Sequence, residues 1–207
     1  MLIKQIVELS LPGMCRITPE EGASFYLRKQ YLVNVDYDSI YSGAEFDDEQ
    51  TNELLDAGLA AAVELKAITY LARAEQCHFK LAQKLRDKGF EKKYIEMALC
   101  YLESVNYLSD ERFARAWIHS RCLNHHEGKS KLINELISRG ISKEISTAAV
   151  EEHFSSVDEI ETAVAALKKF IKRGKSDDKL IAAMMQSGFS YKQIKQAQEV
   201  YKEESSI

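Results

Sequence analysis

The amino-acid sequence predicts a mainly all-α protein with a small β-containing segment at its N-terminus. Both prolines, Pro12 and Pro19, lie near the N-terminus, so no later segment is prevented by proline from being helical. Helical spacing of apolar residues continues from about residue 62 to the end of the chain. A glycine-centred pattern recurs three times within that region, which predicts three tandem three-helix repeats in an elongated, curved array.

The N-terminal segment has the composition of short β-strands. Residues 3–11 and 24–35 contain alternating, β-branched and aromatic side chains. The piece between them, residues 12–22, contains both prolines and two glycines, which is typical of turns. We therefore predict a short β-hairpin or small sheet, then a turn over residues 43–48, and then a helix that begins near residue 49.

Three glycines define the repeat, and each is expected to lie at the end of a helix. Apolar residues stand eight and four positions before each glycine and one position after it, and an alanine stands nine positions after it. Apolar residues four apart form one stripe of a helix, and glycine adopts the left-handed conformation that commonly ends one. The glycines are Gly89, Gly140 and Gly188. Eight positions before them stand Leu81, Leu132 and Leu180, and four positions before them stand Leu85, Leu136 and Met184. One position after them stand Phe90, Ile141 and Phe189, and nine positions after them stand Ala98, Ala149 and Ala197.

The pattern divides the chain into four predicted segments. The first is an N-terminal head with short strands and a linker helix, and the other three are the helical repeats. The first helix of each repeat is expected near residues 62–75, 110–124 and 157–173. The segments are residues 1–61, 62–108, 109–155 and 156–207.

Capping signals mark the starts of several helices. Ser190 and Gln193 have the spacing of a capping box, as do Ser156 and Glu159. Ser142 is a candidate N-cap. Such side chains accept hydrogen bonds from the backbone N–H groups of the first turn, which have no partner within the helix.

Composition and motifs narrow the possible locations and functions of the protein. The cysteines are scattered and no secretory leader is evident, which predicts reduced thiols in a cytoplasmic protein. No stretch approaches the roughly 18 to 20 apolar residues of a membrane helix, so we expect no membrane association. No nucleophile motif or carboxylate–histidine arrangement stands out, so the sequence predicts a protein that is not an enzyme and has no cofactor.

Charge is distributed unevenly along the chain, whose net charge is −4. Residues 1–63 carry four basic and eleven acidic side chains, whereas residues 64–207 carry 24 basic and 21 acidic ones. An acidic head therefore precedes a mildly basic helical body, and the basic residues of that body are the candidates for contact with a charged partner.

One stretch carries a resemblance to a known family. Residues 107–115 read Tyr-Leu-Ser-Asp-Glu-Arg-Phe-Ala-Arg and are followed by Arg121. This resembles the opening of the second repeat of RecX regulatory proteins. Residues 81–90 and 140–142 are similar to helix ends in the first and second repeats of that family. The resemblance covers roughly residues 62–205.

The resemblance implies a non-enzymatic regulator of recombination and DNA repair. RecX proteins bind the recombinase RecA and its nucleoprotein filament, lodge in the filament groove, and usually inhibit recombinase and ATPase activity. The partners implied for this chain are therefore RecA and the RecA–DNA filament, with weak binding to single- or double-stranded DNA as a further expectation.

Helical spacing places a set of basic residues on faces away from the apolar stripes. Lys80, Lys84 and Lys88 are expected to line one face, and Arg112 and Arg115 to project on a similar, exposed side of their helix. In the third repeat the predicted buried face lies opposite Lys168, Lys169, Lys172 and Arg173 and consists of Ala163, Val164, Leu167, Phe170 and Ile171. The basic residues are the candidate contacts with RecA or DNA, because stripes of them can neutralise phosphates or meet acidic loops. Ordinary solvated faces are the alternative for each stripe. The candidates are Lys80, Lys84, Lys88, Arg112, Arg115, Lys129, Lys131, Arg139, Lys168, Lys169, Lys172, Arg173 and Lys175.

Three other features have structural or negative interpretations. Arg121 falls on the apolar side of its helix, which favours a structural ion pair with a carboxylate that the sequence does not identify. Cys122, His125 and His126 lack a fourth ligand at zinc-site spacing, so we predict no metal. Residues 128–130 read Gly-Lys-Ser, but position 123 is leucine, not the glycine that a phosphate loop requires.

A second function class stays open at the sequence level. The three-helix units could bind DNA directly and act without RecA, in which case affinity would fall steeply with salt. The sequence also leaves open whether RecA is inhibited or activated, what the acidic head does, and the oligomeric state.

Overall fold

The structure, a computed structural model, describes residues 1–204 and divides into two compact units, which begin at Met1 and at Ser109. The predicted mainly helical class with a small N-terminal sheet is confirmed. The strands are β1 (Ile3–Glu8), β2 (Met14–Pro19) and β3 (Phe25–Arg28), and the helices are α1 (Asp48–Leu71), α2 (His78–Arg86), α3 (Lys92–Ser104), α4 (Asp110–Cys122), α5 (Lys129–Ile137), α6 (Lys143–Phe154), α7 (Glu159–Lys172), α8 (Asp177–Gln186) and α9 (Tyr191–Glu204).

The N-terminal strands form an antiparallel sheet in the order β1-β2-β3. The middle strand β2 lies within residues 12–22, which the sequence predicted to be a turn-rich connection. The turn residues are present, but they form two turns that flank a short apolar strand, whose Cys15 and Ile17 are fully buried. The second predicted strand region is also shorter than expected, because β3 ends at Arg28 and a 3₁₀ turn follows.

Helix α1 begins as predicted and continues through the predicted boundary between head and first repeat. Asp47 and Gln50 form a reciprocal capping box at its start. The linker helix and the first repeat helix are therefore one helix, since no breaker separates them. Gly58 does not interrupt it: the ring of Phe25 packs so closely that a Cβ there would lie 2.7 Å from it.

A carboxylate on α1 also fixes the loop that follows the sheet. One oxygen of Glu53 accepts hydrogen bonds from the backbone N–H groups of Val33, Asn34 and Val35 at 2.6, 2.8 and 3.0 Å. Desolvation alone would raise the pKa of Glu53, but the hydrogen bonds from these donors outweigh it and lower the pKa. The loop, which contains no regular ladder, thereby obtains partners for its backbone donors.

The same helix pairing recurs in three successive trios. The first helix of each trio packs mainly against the third: α1 against α3, α4 against α6, and α7 against α9. The repeated spacing of the sequence explains this, because the alanines nine residues after the three glycines are all buried and permit close approach. These alanines are Ala98, Ala149 and Ala197.

The helix ends at Gly89, Gly140 and Gly188 are confirmed. Each glycine has a left-handed φ of 87°, 90° or 91°. The residue after each glycine donates its backbone N–H to a carbonyl five residues earlier, which is the Schellman arrangement. The same arrangement ends α3 at Asn106 and α7 at Gly174, and the sequence interpretation missed both because it followed only the glycines at the repeat spacing.

Most of the capping predictions are confirmed. Ser190 and Gln193 form the expected capping box, and the hydroxyl of Ser142 accepts from the N–H of Ile145. The box predicted for Ser156 and Glu159 is wrong. Asp158 caps α7 instead, accepting from two backbone N–H groups at 2.6 and 2.9 Å, because its carboxylate stands directly before the first turn.

Two glycine backbones meet inside the second unit. The N–H of Gly128 donates to the carbonyl of Ser187 at 2.8 Å. A Cβ on Gly128 would lie 2.3 Å from the Gly188 carbonyl oxygen, and one on Gly188 would lie 2.5 Å from the Lys131 nitrogen. The start of α5 and the end of α8 are thus in contact through positions where only glycine fits.

Candidate contact surface for protein or nucleic acid

The first group of predicted contacts lies on and just beyond α2. The side chain of Lys84 donates to Gln76 at 2.6 Å, and that of Lys80 lies beside the ring of Phe79. Lys88 does not continue their helical stripe, since α2 ends at Arg86 and Lys88 stands in the exposed turn before Gly89. Among the described residues, no carboxylate pairs with these three lysines, so their charges are met by glutamine side chains, an aromatic ring or solvent.

In the second trio, the predicted contacts at the start of α4 differ in exposure. Arg115 is exposed, as expected, and its Nε donates to Glu152 on α6 at 2.8 Å. Arg112 is half-buried. Both arginines were predicted to be exposed, but only Arg115 is fully exposed, and its charge is already paired with Glu152.

Lys129 is also committed to internal ion pairs. Its Nζ lies 2.7 Å from Glu151 and 2.5 Å from Glu159, which stand on α6 and α7. These two carboxylates raise the pKa of Lys129. The Gly-Lys-Ser triplet is therefore not a phosphate loop in the structure: its glycine caps α5 and its lysine bridges neighbouring helices.

The two remaining predicted contacts of this trio, Lys131 and Arg139, form ion pairs with the same carboxylate, Glu135. Lys131 and Arg139 approach it at 3.6 and 2.6 Å, each four residues away along the chain. Arg139 lowers the pKa of Glu135. The guanidinium of Arg139 also lies 4.6 Å from the centre of the Trp117 ring, so both a charge and an aromatic face hold this side chain against the helices.

The structural interpretation of Arg121 is confirmed, and its partner is Glu127. Two parallel hydrogen bonds of 2.8 and 2.9 Å join the guanidinium to the carboxylate. This pairing raises the pKa of Arg121. The pair lies six residues apart across the α4–α5 connection, which is why the sequence could indicate an ion pair without identifying the carboxylate.

In the third trio, the apolar face of α7 is confirmed. Ala163, Val164 and Leu167 are buried, and Phe170 and Ile171 pack partly buried against the same cluster. The basic residues therefore lie on the opposite side, as helical spacing predicted.

The C-terminal end of α7 carries positive charge that the described residues leave unneutralised. Lys172 and Arg173 are exposed, and within residues 1–204 neither side chain has an ion-pair or hydrogen-bond partner. The Nζ of Lys169 donates only to the backbone carbonyl of Asn124, at 3.2 Å. Cations at a helix C-terminus interact favourably with the helix dipole, which explains how the cluster is tolerated without carboxylates.

The two flanking lysines of this cluster have different environments. Lys168 pairs with Glu204 on α9 at 2.6 Å, with both side chains about half exposed. The Nζ of Lys175 lies 5.5 Å from the centre of the Phe170 ring. We define the α7 basic end as Lys169, Lys172, Arg173 and Lys175, the four predicted contacts here that lack a carboxylate partner among residues 1–204.

Four of the five histidines lie around a cavity of about 260 Å³ in the second unit. These are His119, His125, His126 and His153, and Cys122 also lines the cavity. Burial raises the pKa of the Cys122 thiol, which disfavours the thiolate that metals require. Over residues 1–204, no group of three or more histidine, cysteine, aspartate or glutamate side chains is arranged to hold a metal ion.

A buried ion pair in the first unit escaped the sequence interpretation. Arg28, at the end of β3, and Glu64, on α1, are 3% and 1% exposed and form two hydrogen bonds of 2.5 Å. Tyr31 donates to Glu64, and Arg28 donates to Tyr101 on α3. Burial opposes the charge on Arg28, but Glu64 outweighs it and raises the pKa of Arg28. The only sequence signal is a glutamate within an alanine-rich helix face.

The fold and these surfaces define a protein of three-helix repeats with an N-terminal sheet. A family model described as RecX, second three-helix domain, matches residues 109–150. The regulatory protein RecX of Treponema pallidum strain Nichols is 32% identical over 148 residues, which cover 72% of this chain and 90% of that protein. RecX of Clostridioides difficile strain 630 is 25% identical over 187 residues, which cover 85% and 87%. The chain belongs to the RecX family of regulatory proteins.

Solved structures have the same fold. A crystal structure of regulatory protein RecX matches with a TM-score of 0.75 at 17% identity, covering 96% of this chain and 98% of that one. RecX from Lactobacillus salivarius matches with a TM-score of 0.60 at 19% identity, covering 68% and 95%. Along residues 1–204, no helix combines the length and the apolar character that would be needed to cross a bilayer.

Proposed function

We propose that this chain binds RecA and its nucleoprotein filament in the cytoplasm and modulates recombinase and ATPase activity, in the inhibiting direction, without catalysing a reaction. Membership of the RecX family is the observation that carries this proposal. The α7 basic end supports it, because unneutralised cations on a helical surface attract acidic loops and phosphates.

The proposal is tested by adding the protein to RecA on single-stranded DNA and following ATP turnover and strand exchange over a range of doses. We expect both rates to fall as the dose rises. A matched pair of variants then addresses the surface: Lys172→Glu/Arg173→Glu on α7, and Lys192→Glu/Lys195→Glu on the exposed face of α9. Both reverse two charges.

The α7 variant is expected to require a dose about tenfold higher for the same inhibition, because reversing cations at a contact weakens charge complementarity. The α9 variant is expected to behave like the unaltered protein. If the unaltered protein changes neither ATP turnover nor strand exchange at any dose, the proposed function is wrong. If both variants lose activity equally, the α7 basic end is not the specific contact.

A second candidate function is DNA binding that does not require RecA, and the same unneutralised cations favour it. Phosphate contacts make such binding strongly dependent on salt. Affinity for DNA alone should fall steeply as salt rises, and Lys168→Glu/Lys169→Glu/Lys172→Glu should abolish it. Negligible affinity near physiological salt would exclude this candidate.

A further inference from the structure

A small polar cavity adjoins the α7 basic end. It has a volume of about 160 Å³, and its polar lining comes from the α4–α5 connection, the C-terminal half of α7 and the residue after α8. Drug-sized ligands occupy roughly 300–1,000 Å³, so a space of this size suits a small ion. The side chains that give it charge or hydrogen-bonding capacity are His125, His126, Glu127, Lys169, Arg173 and Ser187.

The lining is positive because its one carboxylate is already neutralised. Both oxygens of Glu127 accept from the guanidinium of Arg121. The remaining charged groups of the lining are Lys169 and Arg173. Within the part of the chain that the structure describes, neither has a carboxylate partner. The cavity thus contains two permanent cations whose counterion the described residues do not supply.

Other cations in the same unit show that this absence is not general. Arg115, Lys129, Lys131, Arg139 and Lys168 each lie within 4 Å of a glutamate oxygen. Carboxylates are therefore abundant on these helices but are arranged away from this cavity. A positive, polar cavity without an internal counterion is the arrangement expected of an anion site.

From this arrangement we infer that the cavity binds a phosphate group, held by Lys169 and Arg173 with the imidazoles of His125 and His126 and the hydroxyl of Ser187 as further hydrogen-bond donors. Arginine and lysine give charge-assisted hydrogen bonds to phosphate oxygens. The phosphate can belong to a free ion or to a nucleic acid strand. The inference goes beyond the proposed function, because it requires neither RecA nor a filament.

Protonation of the histidines should strengthen binding, since it adds donors and positive charge. The charged and titratable groups that face His125 and His126 are Lys169 and Arg173 on α7, Glu127 with its partner Arg121, His119 and Cys122 on α4, and His153 on α6. Desolvation and the charges of Lys169 and His125 lower the pKa of His126. A bound anion would oppose that effect, because it favours the protonated ring.

The experiment follows the imidazole resonances of the protein by NMR during titration with inorganic phosphate at fixed ionic strength, without RecA. We expect saturable shifts at His125 and His126. Sulfate, whose charge does not change in this range, is then titrated at about pH 6 and about pH 8, on either side of the ordinary histidine pKa of about 6.5. Binding should be several-fold tighter at the lower pH, and His125→Gln/His126→Gln, followed through the backbone amide resonances of residues 125–128 and 187, should remove that difference.

Variants separate the cavity from general surface charge. Lys169→Gln/Arg173→Gln should weaken phosphate binding by about tenfold or more, as the loss of charge-assisted bonds predicts. Lys143→Gln/Lys179→Gln removes two exposed charges elsewhere in the unit and should leave binding unchanged. Arg173→Gln alone serves as a second test, because its side chain has no partner among residues 1–204 whose loss could unfold the protein.

The outcomes distinguish this inference from the proposed function. If phosphate causes no saturable shift at these histidines, or if the cavity variant and the control weaken binding equally, the anion site is wrong while any effect on RecA stands. If RecA is unaffected but phosphate binds, only the proposed function fails. Competition by a short thymidine oligonucleotide would assign the phosphate to a nucleic acid strand, and failure to compete would assign it to a free anion.

Discussion

The two compact units neutralise their charged side chains in different ways. The first unit contains the Arg28–Glu64 pair, which is almost completely buried and also bonds to two tyrosines. The second unit has exposed pairs such as Arg115–Glu152, where the two side chains are 56% and 58% exposed, and the partly buried Arg121–Glu127 pair. The almost completely buried pair thus belongs to the first unit, although that unit also has the exposed Lys93–Asp56 pair.

This difference separates charges that fix structure from charges that are available to a partner. A buried charge without its partner is costly, so the pair in the first unit constrains how β3, α1 and α3 pack. Exposed pairs contribute little to stability, and water or another anion can replace either member. A partner can therefore compete for the exposed pairs of the second unit, such as Arg115–Glu152, with little cost to its fold.

The largest expected effect comes from breaking the buried pair. Glu64→Gln preserves the shape of the side chain but leaves Arg28 charged and unpaired in the interior. We expect the free energy of unfolding to fall by about 3–5 kcal/mol, measured by urea denaturation with circular dichroism. The double change Arg28→Met/Glu64→Leu should recover much of this loss, because it removes both charges. A loss below about 1 kcal/mol for the single change would show that the pair does not constrain the fold.

A glycine comparison gives the next effect. Gly128→Ala places a Cβ against the backbone at Gly188, which cannot move without disturbing α5 or α8. We expect the free energy of unfolding to fall by about 3 kcal/mol, the upper end of the usual range for an overpacked interior. Gly89→Ala meets no atom within 4 Å and should lose only about 1 kcal/mol from its left-handed φ. Urea denaturation followed by circular dichroism, which reports on both units, measures the two losses, and equal losses would contradict the close contact.

A smaller effect on the second unit is expected from histidine protonation as pH falls. Desolvation and neighbouring positive charge lower the pKa values of His126 and His153 in the folded protein. The unfolded chain therefore takes up protons first as pH falls below about 6.5. The stability that these neutral histidines contribute is complete above that pH and is lost as pH falls through their lowered pKa values. The urea midpoint followed by Trp117 fluorescence should decrease accordingly.

Two variants identify the groups responsible for that pH dependence. His126→Gln/His153→Gln should flatten it. His78→Gln, which changes the one histidine of the first unit, should not. A midpoint independent of pH in the unaltered protein would show that protonation of these histidines does not change the stability of the second unit.

The smallest effect should come from an exposed pair. Glu152→Gln removes the partner of Arg115 at the surface of the second unit. We expect no change in the unfolding midpoint beyond measurement error, because such pairs are strongly screened. A clear destabilisation would mean that the charges of the second unit also fix its structure, and the contrast between the units would disappear.

Local patterns predicted most of the helical architecture. The glycine helix ends, the Ser190–Gln193 box and the apolar face of α7 each depend on residues within one or two turns of each other, so a single sequence contains the whole signal. The middle strand β2 and the cap at Asp158 were missed where two local signals competed, since strong turn residues masked a short strand and a serine masked an adjacent aspartate.

The candidate site was less predictable, because charge complementarity depends on distant residues. Helical spacing identified which basic residues lie away from the core, but not which of them meet a carboxylate. The partners of Arg115 and Lys168 are 37 and 36 residues away along the chain. Within residues 1–204, the lack of a carboxylate partner at the α7 basic end distinguishes it from the paired cations of the same unit.

The sequence by itself determined where helices end, which faces are apolar and to which family the chain bears a resemblance, because these depend on residue identity and short spacing. The tertiary structure decided which charges are buried, which are paired and which surround a cavity. It also showed why Gly128 admits no side chain. These properties arise from the approach of segments far apart in the chain, and single-sequence spacing contains no distance between such segments.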